Sequence, residues 1–161
     1  MPHTVFWLAL LDLIILGLIL FYQPRWLLYL ISQIVPGVTY FFETKKQMIA
    51  LTIDDSPDAQ TTPTILDILA SYEAKATFFV ITNQLEENEG LAREIVKKGH
   101  ELGNHLTEDY PSIKLTLEGF EKEVKEADKI LSRFSKIRWL RPASGWYNKE
   151  MIKIANSYNY R

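Results

Sequence analysis

The chain has 161 residues, 47% of them hydrophobic and 24% charged, with a formal net charge of -2. These proportions fit one or two globular domains and exclude a disordered polymer, a collagen-like repeat and a heptad array. The lack of a basic excess excludes a nucleic-acid binder that works by neutralising phosphates. The lack of cysteine excludes a disulfide framework, a thiol nucleophile and a thiolate metal site.

Charge is unevenly spread. Of the 38 charged residues, only Asp12, Arg25 and Glu43 fall within the first 44 positions. The sequence therefore divides into an apolar front end, 1–44, and a nearly neutral body, 45–161. Val5–Tyr22 is an apolar run interrupted by Asp12 and Gly17. As a helix it reaches about 27 Å, near the minimum for a bilayer core. Asp12 costs roughly 2.5–3.5 kcal/mol on insertion scales, offset by the surrounding Leu and Ile. A cleaved signal peptide is the rival reading, but there is no basic n-region and no small-x-small site before Gln23-Pro24-Arg25. The segment reads as an uncleaved, single-pass anchor that places the protein at a membrane. Arg25, Lys45 and Lys46 follow it and no Lys or Arg precedes it, so the positive-inside rule puts the body in the cytoplasm. Residues 26–42, broken by Gln33 and Pro36-Gly37, predict a short interfacial helix and then a strand over 38–42.

In the body, residues 48–53 are a continuous apolar run, the pattern of a strand buried on both faces. Thr62 offers an N-cap with Pro63 behind it, opening a helix that carries Ile65, Leu66, Leu69 and Tyr72. A second buried strand is predicted over 76–81. A short amphipathic helix follows over 91–98, stopped by Gly99. Glu101–Asn104 predicts a third strand. Thr116 caps a longer helix with an inner stripe of Leu117, Phe120, Val124, Ala127, Leu131 and Phe134. A fourth strand falls at 138–140, and Asn148 caps a last helix through Tyr158. Alternating strands and helices require parallel pairing through crossover helices. Four strands do not close a barrel, and a complete one needs more chain, so a C-terminally truncated domain is expected.

Reactive groups in parallel α/β folds collect at the carboxyl ends of strands. Asp54-Asp55, His105 and Arg141 all stand at such ends and share one rim. Two adjacent buried carboxylates repel unless a cation or an Arg neutralises them, so the pair itself points to a metal. If the chain turns helically after the third strand, His105 and Asp109 lie on one face in chelating geometry. Asp55, His105 and Asp109 then supply three ligands, a set hard enough for Mn, Fe, Co or Mg beside Zn. Singly, each residue is as easily explained as a cap, a turn residue or a hydrogen-bonding histidine.

The combination is more specific. Thr52-Ile53-Asp54-Asp55-Ser56-Pro57, Ala76-Thr77-Phe78-Phe79-Val80, Gly99-His100-Glu101-Leu102-Gly103-Asn104-His105 and Arg141-Pro142-Ala143-Ser144-Gly145 occur in this order. Together they resemble the polysaccharide deacetylase family, the NodB-homology domain of carbohydrate esterase family 4. The resemblance runs from about residue 48 to the C-terminus. It implies an α/β fold, an incomplete distorted (β/α) barrel preceded by the transmembrane helix. It further implies metal-dependent hydrolytic removal of acetyl groups from a polysaccharide of the chitin or peptidoglycan class.

By that likeness Asp54 is the general base and Arg141 orients its carboxylate. Asp55 and His105, with Asp109, hold a divalent metal (Zn, Co, Mn or similar), and the backbone N–H around Ser144 helps stabilise the oxyanion. Two departures stand out. Asp109 occupies the place of the family's second His, and Arg141-Pro142-Ala143-Ser144-Gly145 lacks the usual Pro-Tyr. No His follows His105, so the acid that protonates the leaving amine is missing, a loss typically worth 10²–10⁴-fold. The alternative is therefore a non-catalytic pseudoenzyme that binds carbohydrate or metal, or a truncated gene product. The glycans that such enzymes meet lie outside the cytoplasm, which places the body there, against the charge rule.

Overall fold

The computed structural model describes residues 2–161. The chain divides into two compact units between Glu43 and Thr44.

The first unit contains α1 (Pro2–Tyr22) and α2 (Arg25–Ile34). The 18 residues Val5–Tyr22 make α1 long and apolar enough to cross a bilayer. A helix breaks at Pro24 because proline has no N–H to donate and disfavours helical backbone in the residue before it. α2 opens directly after it. Trp26, Tyr29, Leu30 and Ile34 recur at helical spacing on α2 and all are exposed. Residues 38–42 form no strand, contrary to the sequence expectation. Among the described residues the sheet is β1-β2-β3 alone, and no ladder includes this segment.

The second unit runs β1 (Thr52–Ser56), α3 (Thr62–Ser71), β2 (Thr77–Val80), α4 (Glu89–Lys97), β3 (Glu101–Asn104), α5 (Leu117–Leu131) and α6 (Lys149–Ser157). The three strands form one parallel sheet in the order β1-β2-β3. This is a mixed α/β fold. The expected fourth strand over 138–140 reduces to one parallel bridge, Asn104↔Leu140, closed by Asn104 N–H to Trp139 O (2.8 Å) and Arg141 N–H to Asn104 O (3.0 Å).

The local signals explain most boundaries. Thr116 accepts from Gly119 N–H and Asn148 from Met151 N–H, satisfying first-turn donors of α5 and α6. Gly99, at φ 79°, ends the turn after α4 in the left-handed region. At α3 the N-cap is Thr61 rather than Thr62, and its side chain makes no cap bond. In the turn before it, Asp58 Oδ1 accepts from the backbone N–H of Gln60 and Thr61, while Thr62 Oγ1 accepts from Asp58 N–H. These bonds hold the Asp58 carboxyl below its ordinary range, the Thr61 hydroxyl bond contributing most. β1 begins at Thr52 rather than 48, and it is largely exposed rather than buried on both faces. It is the edge of the sheet, so among the described residues β2 is its only strand neighbour.

The interior has two clusters. Leu66, Leu69, Phe78, Val80, Ala92, Ile95, Leu102 and Leu131 pack the sheet against its helices. Leu106, Phe120, Val124, Met151 and Tyr160 fill the space around α5 and α6. Each fully buried Leu or Phe contributes about 1.5–3 kcal/mol relative to exposure, so these clusters hold the strand ends that carry the polar rim.

His100 lies at the opposite end of β3 from that rim. Its Nδ1 accepts from Ala76 N–H at 3.3 Å and its ring tilts against Phe78. Burial, then the nearby charges of Lys75 and Lys98, holds its pKa below the ordinary 6.5. Because the unfolded chain takes up this proton more readily, the stability is intact above about pH 6.5 and lost as pH falls through the lowered folded-state value. Denaturant titrations at falling pH should show that loss. His100→Asn, which keeps an acceptor and does not titrate, should flatten it relative to wild type; an unchanged slope would assign the pH dependence elsewhere.

Candidate active site

The rim begins with an irregularity in β1. Ile53 pairs with Phe78 and Ser56 with Val80, so Asp54 and Asp55 together stand opposite the single residue Phe79. In a regular strand, adjacent side chains point to opposite faces. The extra residue and the left-handed backbone of Asp55 (φ 52°) break that alternation. Asp tolerates this region better than most residues. Both carboxylates therefore reach partners on the same rim. Gln84 braces the bend: with its amide nitrogen turned inward it donates to Asp55 O (3.1 Å) and Pro57 O (3.2 Å).

Asp54 Oδ1 accepts from Arg141 Nη1 at 2.6 Å, and the same nitrogen donates to Thr52 Oγ1 at 3.1 Å. The guanidinium lies over the Phe79 ring, 4.1 Å from its centroid. Stacking and a charged hydrogen bond together hold the planar group in one orientation. The Asp54 and Arg141 side chains are 41% and 36% exposed, so the pair adds on the order of 1 kcal/mol or less to stability. Its effect is to orient the carboxylate. The expectation of two buried carboxylates is corrected here, since Asp55 is 60% exposed; the edge position of β1 leaves both open to solvent.

His105 follows β3 and is buried, its ring edge-on to Phe79. Its Nδ1 lies 2.6 Å from Arg141 O. A carbonyl oxygen only accepts, so Nδ1 carries the hydrogen. In the neutral ring Nε2 is then a lone pair, and it faces Asp55 Oδ1 at 3.4 Å. A proton or a metal ion between them would satisfy both atoms. Ligand atoms about 2.1 Å from a tetrahedral ion stand roughly 3.4 Å apart, so the Asp55–His105 pair fits one edge of a metal site. The Nδ1 bond to a carbonyl is the outer support that metal-binding imidazoles ordinarily have.

Asp109 is not assembled with them. Residues 105–109 make no helical turn, Leu106 is left-handed (φ 69°) and Asp109 is exposed. The same-face geometry expected from the four-residue spacing does not form. Among the described residues, no three His, Asp or Glu side chains converge to hold an ion. The loop is pinned instead by its neighbours: Thr107 N–H and Oγ1 both donate to Glu123 Oε2, and Asn83 Nδ2 donates to Glu108 Oε1. Ser144 is exposed on the turn after Arg141, in left-handed backbone (φ 64°) followed by Gly145 (φ 69°).

Three contributors had no assigned role in the sequence reading: Thr52, Phe79 and Gly103. All sit inside the quoted motifs, but nothing in residue type alone marks an aromatic as the floor under an arginine. A Cβ on Gly103 would lie 2.6 Å from Phe79 Cδ1, so a glycine is needed for that ring to lie flat. Gly103→Ala should cost about 1–3 kcal/mol by overpacking. Urea unfolding measures this, and a cost under about 0.5 kcal/mol would mean that Phe79 yields freely.

The family model for polysaccharide deacetylases matches residues 42–161. A peptidoglycan-N-acetylglucosamine deacetylase of Bacillus cereus is 34% identical over 125 residues, which cover 77% of this chain and 59% of that protein. A second from the same organism is 32% identical, covering 71% and 42%. Among solved structures, a carbohydrate esterase family 4 pseudoenzyme from Bacillus anthracis is 30% identical with a TM-score of 0.67, covering 72% of this chain and 42% of that one. A mutant of that pseudoenzyme with restored enzymatic activity is 32% identical with a TM-score of 0.68, covering 72% and 43%. The chain thus spans about half the length of the relatives it matches. Matched over the whole of its second unit, this chain belongs to the polysaccharide deacetylase family.

Proposed function

We propose that the chain serves metal-dependent hydrolytic deacetylation of an acetylated polysaccharide of the peptidoglycan or chitin class. The observation that carries this reading is the Asp55–His105 pair presenting two lone-pair donors beside an oriented Asp54. Its sheet and helices would form part of a distorted (β/α) barrel. Asp55 and His105 would hold a divalent cation such as Zn, Co or Mn; Asp109, apart from them in this structure, would have to swing in from its exposed turn to serve as the third donor. Such an ion supplies Lewis acidity toward the acetyl carbonyl.

The protein's own groups carry the proton. Arg141 fixes Asp54 through Oδ1, leaving Oδ2 to accept a proton from the attacking water. The backbone N–H of Ser144 donates to the oxygen on which negative charge develops. Hydrolysis then releases acetate from the sugar nitrogen or oxygen, and the leaving group takes up a proton. Asp54, having taken the proton from water, could return it to that leaving group.

A second reading has its own support. Asp109 stands where the family has a histidine, and one matched solved structure is a pseudoenzyme of the same family. In that reading the pair binds metal or carbohydrate without turnover.

Acetate release from peptidoglycan fragments and chitooligosaccharides by the full chain, with and without added Zn²⁺ or Co²⁺, separates the two. Deacetylation requires metal-dependent release that Asp54→Asn lowers by about 10²–10⁴-fold while Zn²⁺ binding persists. Zn²⁺ binding with no release in any condition would establish the pseudoenzyme instead.

The substrate class also sets the topology: α1 anchors the chain at a membrane and the body lies outside the cytoplasm. Reporter fusions after Arg161 should be active only when the reporter works outside the cytoplasm. Activity confined to a cytoplasmic reporter would reverse this placement and vindicate the charge rule.

A further inference from the structure

Beneath the rim lies a buried polar chain that no step above uses. Asn104, the last residue of β3, is fully buried. Its Oδ1 accepts from Leu106 N–H at 2.7 Å, and its Nδ2 donates to Tyr160 Oη at 3.0 Å and more distantly to Val124 O at 3.5 Å. The amide orientation follows from the partners, since a backbone N–H only donates and a carbonyl only accepts. Tyr160, 2% exposed, donates in turn to Asp128 Oδ1 on α5 at 2.5 Å. An ionised acceptor polarises the hydroxyl and makes its oxygen a better acceptor for Asn104, so the links reinforce one another. Burial in the first place pushes the Tyr160 phenol up from its ordinary value, which keeps the hydroxyl a donor to Asp128.

The backbone of the same Asn104 holds the other side of the site. Its N–H donates to Trp139 O and its O accepts from Arg141 N–H at 3.0 Å. The Arg141 carbonyl then accepts from His105 Nδ1. A closed ring of bonds thus runs from Asn104 to Arg141 to His105 and back along the chain. On the far side, Oδ1 clamps Leu106 in left-handed backbone, a conformation that Leu seldom adopts unaided. His105 is held between these two constraints.

We propose that Tyr160 and Asp128 are positioning residues which, through the Asn104 amide, set the direction of the His105 imidazole and so its affinity for a divalent cation. The proposal rests on the reading of Asp55 and His105 as metal ligands. If the Tyr160 hydroxyl is lost, Nδ2 keeps only its 3.5 Å bond to Val124 O. The amide then turns, Leu106 N–H loses its acceptor, and the residue that follows His105 is released.

The test uses Zn²⁺ as the probe on the full chain in detergent, with Tyr160→Phe, Asp128→Asn, and Tyr158→Phe as control. Tyr158 also carries a hydroxyl bonded to a carboxylate, Glu121 at 3.4 Å, but it lies outside the chain to Asn104. Calorimetric titration should show Zn²⁺ affinity falling about tenfold or more in Tyr160→Phe, less in Asp128→Asn, and not at all in Tyr158→Phe. Amide exchange gives a readout independent of metal: Leu106 should lose protection selectively, with Phe78 and Val80 unchanged. Should Tyr160→Phe remain folded with affinity within twofold of wild type and Leu106 still protected, the proposal is overturned. A uniform fall in protection across the sheet, with unaltered affinity, would assign Tyr160 to general stability and likewise overturn it. If wild type itself takes up no Zn²⁺, the metal reading fails separately, and exchange at Leu106 alone decides whether the network positions His105.

Discussion

The site depends on one hydrogen bond, from His105 Nδ1 to the carbonyl of Arg141. Arg141 thereby acts twice. Its guanidinium fixes Asp54, and its backbone oxygen fixes the imidazole that faces Asp55. Two carboxylates from β1 and one imidazole from the end of β3 are brought into register through a residue that belongs to neither strand. The segment carrying Arg141 joins the sheet through the backbone bridge at Asn104 and through side-chain bonds from Trp139 to Glu101 and from Arg141 to Thr52 and Asp54, which together place the arrangement.

What surrounds the bond limits its freedom. Phe79 lies under the guanidinium and edge-on to His105, and Gly103 makes room for its ring. The doubled residue in β1 turns Asp55 toward His105 while Asp54 turns toward Arg141. The Asp54–Arg141 pair is not worth much in stability, since both groups are partly solvated. Their value lies in geometry: reacting groups must be held within a fraction of an ångström to be useful, and a buried aromatic floor and short backbone bonds supply that.

Much of this was legible in the residues. Glu101–Asn104 as a strand, Thr116 and Asn148 as caps and Gly99 as a helix stop follow from local chemistry that acts within a few residues. The grouping of Asp54, Asp55, His105 and Arg141 on one rim follows from the strand ends. What escaped was set by distant partners or by special backbone. Residues 48–51 look like a buried strand because apolar runs carry no information about which strand lies at an edge. Residues 38–42 are rich in β-branched and aromatic residues, as strands are, yet they join no strand ladder among the described residues. Asp109 has helical spacing from His105, yet the left-handed Leu106 between them, clamped by Asn104, removes the helix on which that spacing depends. Tyr160 is 56 positions from the asparagine it supports, and no local pattern links the two.

Three histidines make the arrangement open to direct inspection by nitrogen NMR of ¹⁵N-histidine-labelled chain. His105 should carry its hydrogen on Nδ1, with Nε2 unprotonated and shifting when Zn²⁺ is added. His100, whose Nδ1 accepts from a backbone N–H, should show the opposite tautomer and no response, an internal reference in the same spectrum. A hydrogen on Nε2 of His105, or an Nε2 resonance indifferent to saturating Zn²⁺, would contradict the assignment of this imidazole as a ligand aimed by the Arg141 carbonyl.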